Sequence, residues 1–209
     1  MPEVLMSEAL LVIDLQNDFC RGGALAVPDG DAVVPLANRL LEQATIRVLT
    51  ADWHPPDHAS FAASHPGKLP FERGLVGGID QTLWPVHCVQ DSHGAAFHPA
   101  LNSEPADLIL RKGCRAGLDS YSAFFENDRS TSTGLDAYLR GRGVGAVAIV
   151  GLALDYCVAW SAQDAARLGY RTRVILQGCR AIDQGGSLQR ALASMRQAGV
   201  LLEQGEGEG

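Results

Sequence analysis

The length and composition of this 209-residue chain, 46% hydrophobic and 20% charged, suit one globular domain with a full core. A net charge of -7 disfavours nucleic acid or an anionic membrane as the main partner, and no apolar run approaches the roughly 20 residues that span a bilayer. The first ten residues lack the pattern of a secretory signal, and the five cysteines form no CxxC pair or disulfide framework. We therefore expect a cytoplasmic protein.

Apolar runs alternate with amphipathic segments along the chain. The predicted strands lie at 8–14, 45–51, 107–113, 145–153, 171–177 and 200–203. The predicted helices lie at 35–44, 133–143, 157–170 and 187–199. Because this alternation with continuously apolar strands is typical of a parallel sheet covered on both faces, it predicts a three-layer α/β/α fold with a mostly parallel, six-stranded sheet.

Two segments fall outside this alternation. The interval 54–106 is rich in proline and glycine, and a loop of that length in a compact domain is usually functional. The tail QGEGEG, residues 204–209, is expected to be disordered. The sequence contains no internal repeat and no linker, so it predicts a single domain over 1–203.

Three reactive residues follow predicted strands at the edge where open parallel sheets bind ligands. The first strand ends at Asp14, the third ends at Lys112, and Cys157 begins the helix after the fourth. A helix N-terminus and a nearby lysine both lower the pKa of a thiol, and a carboxylate can take and return its proton. Together they predict a cysteine nucleophile, although each alone is commonly a core thiol, a turn acid or a surface lysine.

The stretch TADWHPPDHASF, residues 50–61, follows the second predicted strand. In extended backbone the side chains of Asp52 and His54 point the same way, and His87 in LWPVHCV is a candidate third ligand. A carboxylate with two imidazoles suits zinc, iron or manganese, and catalytic metal sites use about three protein ligands. His58 is a candidate fourth ligand. A solvated loop is the alternative for an isolated DxH pattern.

Aromatic residues accompany these candidates in the sequence. Phe19 follows Asp14 by five positions, Trp84 precedes His87 by three, and Tyr121 lies beyond the third strand. A flat aromatic substrate can stack between such rings. Ordinary loop packing is the alternative for all three.

Five stretches together resemble the nicotinamidase family of isochorismatase-like cysteine hydrolases. They are ALLVIDLQNDFCRGGAL, TADWHPPDHASFA, LWPVHCVQ, KGCRAGLDSYSAFF and VGLALDYCV, and they run in the family's order from residue 9 to about 170. DLQNDF and the cysteine segment occur across the superfamily, whereas DWHP with WPVHCV is typical of nicotinamidases. One departure is Leu154, which stands where the family commonly has a hydroxyl residue.

The resemblance implies an isochorismatase-like, Rossmann-like fold and an enzyme that hydrolyses nicotinamide, and also pyrazinamide, to the acid and ammonia. It places such an enzyme in pyridine nucleotide salvage for NAD biosynthesis. It implies that Cys157 is the nucleophile that forms a thioester, that Asp14 is the general acid and base, and that Lys112 is its partner.

The resemblance also implies the substrate contacts. One divalent ion, most often zinc, would be held by Asp52, His54 and His87 and would bind the pyridine nitrogen. The remaining contacts would be a ring sandwich by Phe19 and Trp84, a cis peptide bond at Leu152-Ala153, and an oxyanion site formed by the N–H groups of Ala153 and Cys157.

Other functions are also compatible with the sequence. A related hydrolase of this superfamily would act on a different amide or carbamoyl substrate. A metal hydrolase would attack with bound hydroxide and would not need the thiol. A binding protein could keep the fold with an inactive site. The sequence also leaves open whether the chain forms a homo-oligomer.

Overall fold

The computed structural model describes residues 7–204. The sequence predicts disorder for the tail 204–209, and only residue 204 of that tail lies within the described range. The strands are β1 (Ser7–Ile13), β2 (Ile46–Asp52), β3 (Arg73–Val76), β4 (Ile79–Thr82), β5 (Leu108–Lys112), β6 (Val144–Leu152), β7 (Arg171–Arg180) and β8 (Leu201–Glu203). The α-helices are α1 (Val34–Gln43), α2 (Leu135–Gly141), α3 (Ala159–Arg167) and α4 (Ser187–Gln197).

Six strands form one parallel sheet in the order β5-β2-β1-β6-β7-β8. The two central strands are the most apolar, and all nine residues of β6 are buried. Because neighbouring side chains of a strand point to opposite faces, complete burial means that both faces of the sheet are covered. The predicted α/β fold with a mostly parallel, six-stranded sheet is confirmed. Within the described range no helix is long and apolar enough to cross a membrane.

The helix predicted at 157–170 is shorter in the structure, where α3 covers Ala159–Arg167. A π-helical turn, Leu154–Val158, connects β6 to α3, and Cys157 lies inside this turn. The expectation that Cys157 begins the helix is therefore wrong. Asp155 in the turn is buried, and its carboxylate accepts hydrogen bonds from the backbone N–H of Ile182 and Asp183. These bonds anchor the turn to the segment after β7.

The long interval after β2 is ordered by pairing between its own segments. It contains a short antiparallel hairpin, β3–β4, which the sequence did not predict. The N–H of His54 donates to the carbonyl of Cys88 at 3.0 Å, and the N–H of Trp84 donates to the carbonyl of Ser60 at 2.8 Å. The segment that carries His87 therefore lies beside the segment that leaves β2.

Candidate active site

Asp14 lies immediately after β1 and is completely buried. Its backbone has a φ of 48°, a left-handed conformation that turns the chain at the end of the strand. The hydroxyl of Thr50 on the neighbouring strand β2 donates to its carboxylate at 2.5 Å, and Lys112 Nζ lies 2.9 Å away. Burial raises the pKa of Asp14 above its ordinary value, and the charge of Lys112 opposes that rise.

Lys112 ends β5 and is also buried, which is rare for a lysine unless it is paired. Its ammonium group pairs with Asp14 and Asp52, donates to the carbonyl of Ser120 at 2.9 Å, and lies 3.5 Å from the sulfur of Cys157. Burial opposes the positive charge, but the two carboxylates outweigh it and raise the pKa of Lys112 well above its ordinary value. Lys112 therefore stays charged at the centre of the group.

The thiol of Cys157 is buried beside these charges. Burial raises the pKa of Cys157 well above the ordinary thiol value; Lys112 opposes the rise, and Asp14 and Asp52 add to it. The expectation of a lowered thiol pKa is therefore wrong for the resting protein. One helical turn and one lysine do not compensate for desolvation next to two carboxylates. The thiol carries its proton until a base removes it.

Asp52, His54 and His87 come together as a buried group whose ligand atoms all lie within 4.8 Å of one another. The Nδ1 atoms of His54 and His87 face the carbonyl oxygens of Gly113 and Pro85 at 2.9 and 2.8 Å. Because a carbonyl only accepts, both Nδ1 atoms carry hydrogen, and Nε2 is the nitrogen of each ring that faces Asp52 and can bind a metal. These Nε2 atoms lie 3.7 and 3.9 Å from Asp52 Oδ2, the orientation that metal-ligating histidines show.

The charges of this group differ from residue to residue. Burial and the neighbouring His54 lower the pKa of His87 to about 4, so its imidazole is neutral. Burial also opposes the charge of His54, but Asp52 raises the pKa of that ring. Burial works against the charge of Asp52 as well, yet Lys112 and His54 lower its pKa. A carboxylate facing two imidazoles is a donor set that suits a divalent transition metal.

His58 lies beside this group but has its own partners. Its ring centroid is 4.2 Å from that of His54, and its Nδ1 lies 2.7 Å from the hydroxyl of Ser60. Together with His54 and the buried Asp119 it forms a second set of close ligand atoms. The role of His58 as a fourth metal ligand stays a prediction.

The predicted aromatic residues line one cavity with the thiol. Phe19, Trp84 and Tyr121 all face it, and so do Ala153 and Cys157. The indole N–H of Trp84 donates to the hydroxyl of Tyr121 at 3.0 Å, which orients both rings. The cavity is narrow, with free space of about 20 Å³ for a water-sized molecule.

Four residues of the site were missed by the sequence analysis. Thr50 holds Asp14, and Gln16 holds the backbone of Asp52 through two hydrogen bonds of 2.8 Å. Both had a signal, because each stands two positions from a predicted site residue. Tyr156 and Asp119 also line the cavity. Both had a signal as well, because Tyr156 adjoins Cys157 and Asp119 stands two positions before Tyr121 in the stretch KGCRAGLDSYSAFF.

Comparison with known proteins agrees with this geometry. The isochorismatase domain model matches residues 8–206. The nicotinamidase of Acinetobacter baylyi is 50% identical over 192 residues, which are 92% of this chain and 90% of that protein. The nicotinamidase of Escherichia coli is 46% identical over 199 residues, 93% of each chain. The chain belongs to the isochorismatase domain family.

Solved structures of the isochorismatase family superpose closely on this member. A nicotinamidase/pyrazinamidase from Acinetobacter baumannii has a TM-score of 0.93 at 50% identity, covering 97% of this chain and 98% of that one. Yeast nicotinamidase bound to the inhibitor nicotinaldehyde has a TM-score of 0.86 at 30% identity, covering 93% and 98%. The pyrazinamidase of Pyrococcus horikoshii in complex with zinc has a TM-score of 0.76 at 34% identity, covering 95% and 99%.

Two expectations from the resemblance can be compared with this isochorismatase-family structure. The peptide bond between Leu152 and Ala153 is cis, as predicted. Leu154, the departure from the family pattern, is buried within the turn that carries the thiol. The side chain at this position therefore packs inside the protein.

Proposed function

We propose that this chain is a nicotinamidase that hydrolyses nicotinamide to nicotinate and ammonia through a thioester on Cys157. The observation that carries the proposal is the position of the thiol, which shares one buried cluster with Asp14 and Lys112 and one aromatic-lined cavity with the Asp52 group. The names of relatives at 46–50% identity support the same activity.

The residues Asp52, His54 and His87 fit one divalent metal ion, because the Nε2 atoms of the two histidines converge on the Asp52 carboxylate. Zinc is the preferred candidate, with iron or manganese as alternatives. A relative solved with zinc supports this choice. Bound there, the ion would supply a Lewis acid for the pyridine nitrogen of the substrate.

The first chemical step needs a base for the protonated thiol. Asp14 is suited to this role because burial raises its pKa, which makes the carboxylate a stronger base than an exposed aspartate. It takes the proton from Cys157, and the sulfur forms a bond to the amide carbon. Lys112, 3.5 Å from the sulfur, stabilises the thiolate while the proton is on Asp14.

The following steps return the proton and add water. The tetrahedral oxyanion faces the backbone N–H groups of Ala153 and Cys157. Asp14 donates its proton to the departing nitrogen, the C–N bond breaks, and ammonia leaves a thioester. Asp14 then takes a proton from water, the hydroxyl adds to the thioester carbon, and the C–S bond breaks. Asp14 returns its proton to the sulfur, and the product leaves as nicotinic acid, which ionises to nicotinate by giving its carboxyl proton to solvent.

The walls of the cavity account for the choice of a flat substrate. Phe19 and Trp84 present rings to the same narrow space, so a planar heteroaromatic amide can stack between them. Pyrazinamide has the same ring shape and a ring nitrogen, and we propose it as a second substrate. All five cysteines are free, which fits a reducing compartment and a role in pyridine nucleotide salvage.

The deciding experiment measures ammonia release from nicotinamide by the metal-loaded protein and its Cys157→Ala variant. We expect turnover in the wild type and a loss of at least about a thousandfold in the variant. Cys179→Ala is the matched control, because Cys179 is an equally buried thiol on β7 and does not line the cavity. The control should retain wild-type turnover.

Two results would overturn the proposal. Normal turnover by Cys157→Ala would indicate direct attack by metal-bound hydroxide, and no ammonia from nicotinamide would indicate a different amide or carbamoyl substrate. A panel of such amides, assayed with the same protein, separates the second case. His54→Ala should reduce the bound metal by one ion per chain and raise KM for nicotinamide; unchanged metal content would remove the proposed ligand set.

A further inference from the structure

We propose that Cys20, Asp31 and His98 form a second binding site for a thiophilic divalent metal such as Zn²⁺. One ligand atom from each of these residues lies within 4.8 Å of the other two. Cys20 and His98 line a cavity of about 280 Å³, and none of the residues lining that cavity lines the catalytic one. This site is separate from the proposed nicotinamidase centre and does not depend on it.

The spacing of the three side chains is close to that of a tetrahedral zinc site. Zinc bonds to nitrogen, oxygen and sulfur are about 2.0–2.3 Å long, so tetrahedral ligands lie roughly 3.3–3.8 Å apart. A group with ligand atoms within 4.8 Å needs only small side-chain movements to reach that geometry. Three protein ligands leave a fourth position for water or for His93, which lines the same cavity.

The backbone holds the three ligands in place without the metal. Cys20 ends a 3-10 turn, Asn17–Phe19, and Asp31 lies in a second such turn, Gly30–Val33. The N–H of Val27 donates to the carbonyl of Phe19 at 3.0 Å, which joins the two turns. The N–H of His98 donates to the carbonyl of Leu15 at 2.8 Å, which fixes the third ligand beside them.

The electrostatics of the group favour a cation at this position. The Cys20 thiol is hydrogen-bonded to the Asp31 carboxylate, which places a negative charge beside the sulfur. The Asp31 carboxylate is only partly buried. A divalent ion replaces the thiol proton: the metal–sulfur bond forms, and the S–H proton leaves to solvent. Thiolate, imidazole and carboxylate together favour zinc over calcium or magnesium.

Besides the hydrogen bond between Cys20 and Asp31, two existing contacts change when the metal binds. The N–H of Ala100 donates to Nδ1 of His98 at 3.2 Å, and this long hydrogen bond is lost whichever ring nitrogen binds the ion. The side chain of Arg21 lies 3.6 Å from Asp31 Oδ2, but it is 87% exposed and can swing into solvent. Its backbone N–H, at 2.9 Å from Asp31 Oδ1, can remain and orient the carboxylate.

Cobalt(II) provides a direct test, because a thiolate ligand gives Co²⁺ a charge-transfer absorption that oxygen and nitrogen ligands do not. We expect chelator-stripped full-length protein to bind two Co²⁺ per chain and to develop this absorption. Cys20→Ser should bind one Co²⁺ and lose the absorption, and His98→Ala should bind the second ion more weakly. Cys179→Ser, a matched buried thiol, and Cys157→Ala, which removes the catalytic thiol, should both retain it.

The absorption of Cys20→Ser decides the outcome. A thiolate band that persists in that variant, or a wild type that binds one ion and shows no band, would overturn the proposal. If Cys20→Ser does not fold, Asp31→Asn serves in its place, because it keeps the thiol and removes a ligand at a partly exposed position. Failure of the proposed nicotinamidase activity would leave a Cys20-dependent band unchanged, so the two proposals are tested separately.

Discussion

Lys112 separates the roles of two buried carboxylates. Lys112 pairs with both Asp14 and Asp52. Burial raises the pKa of Asp14. Burial also opposes the charge of Asp52, but Lys112 and His54 together outweigh it and lower the pKa of that carboxyl. Two like groups whose pKa values are pushed apart can take different roles in one site. Asp14 is therefore suited to moving protons, and Asp52 is suited to binding a cation.

The hydroxyl of Thr50 offers a test at the scale of one residue. Its hydrogen bond lowers the pKa of Asp14, so Thr50→Val should raise that pKa further. Asp14, the proposed base, acts as a carboxylate. The value of kcat/KM therefore falls as the pH drops through the pKa of Asp14 in the free enzyme. The acid limb of kcat/KM against pH should lie above the ordinary aspartate value in the wild type and at still higher pH in the variant.

Thr172→Val is the control for this profile. Thr172 is a buried threonine on β7, and its hydroxyl donates to the carbonyl of Tyr170 at 3.0 Å, so the change removes a comparable hydrogen bond elsewhere. Its acid limb should match that of the wild type. A Thr50→Val limb that stays in place or moves to lower pH would show that Asp14 does not control it.

Strand order brings the reactive residues together at the scale of elements. β5, β2, β1 and β6 are consecutive in the sheet, so Lys112, Asp52, Asp14 and the turn with Cys157 follow adjacent strand ends. Adjacent parallel strands lie about 4.8 Å apart, within reach of one side chain.

Near its carboxyl end, β6 contains Gly151, which has a φ of 122°. A Cβ at this position would overlap the backbone of Ile13 on β1.

Gly151→Ala should therefore lower the free energy of unfolding by about 2–4 kcal/mol, because both the left-handed φ and the contact with β1 oppose a side chain. Gly141→Ala, at the exposed end of α2 with open space around it, should be neutral or stabilising by up to about 1 kcal/mol. Urea denaturation of both variants provides the measurement. Equal stability of the two would contradict the tight packing of β6 against β1.

The proposed metal acts on the whole molecule because it joins segments that are distant in the chain. Asp52 and His54 follow β2, while His87 lies beyond the hairpin β3–β4. An ion bound by all three holds the long interval against the sheet. The organisation as one domain over 1–203 remains a prediction, and it implies that sheet and interval unfold in one cooperative transition.

Removal of this metal should lower the melting temperature. A ligand that binds only the folded state stabilises it by about 2.7 kcal/mol at a hundred times its Kd. We expect Zn²⁺ to raise the melting temperature of chelator-stripped protein, and His87→Ala should lose most of the rise. The measurement is best made with Cys20→Ser present in both proteins, so that the second proposed site does not contribute. An equal rise with and without His87 would exclude the proposed ligand set.

The sequence by itself determined the alternating strands and helices, because apolar periodicity is a local property that each segment carries with it. It also indicated which side chains follow the strand ends, and the parallel sheet then brought Asp14, Lys112 and Cys157 to one edge. Five family stretches added the cis peptide bond at Leu152-Ala153, which periodicity cannot show.

Only the tertiary structure decided the state of the thiol and the content of the long interval. The pKa of Cys157 depends on its burial and on its distances to Lys112, Asp14 and Asp52, which come from separate strands. The hairpin β3–β4 depends on pairing between segments of the interval, and no local pattern encodes such contacts. Distances between residues remote in the chain are the physical quantity that a single sequence does not contain.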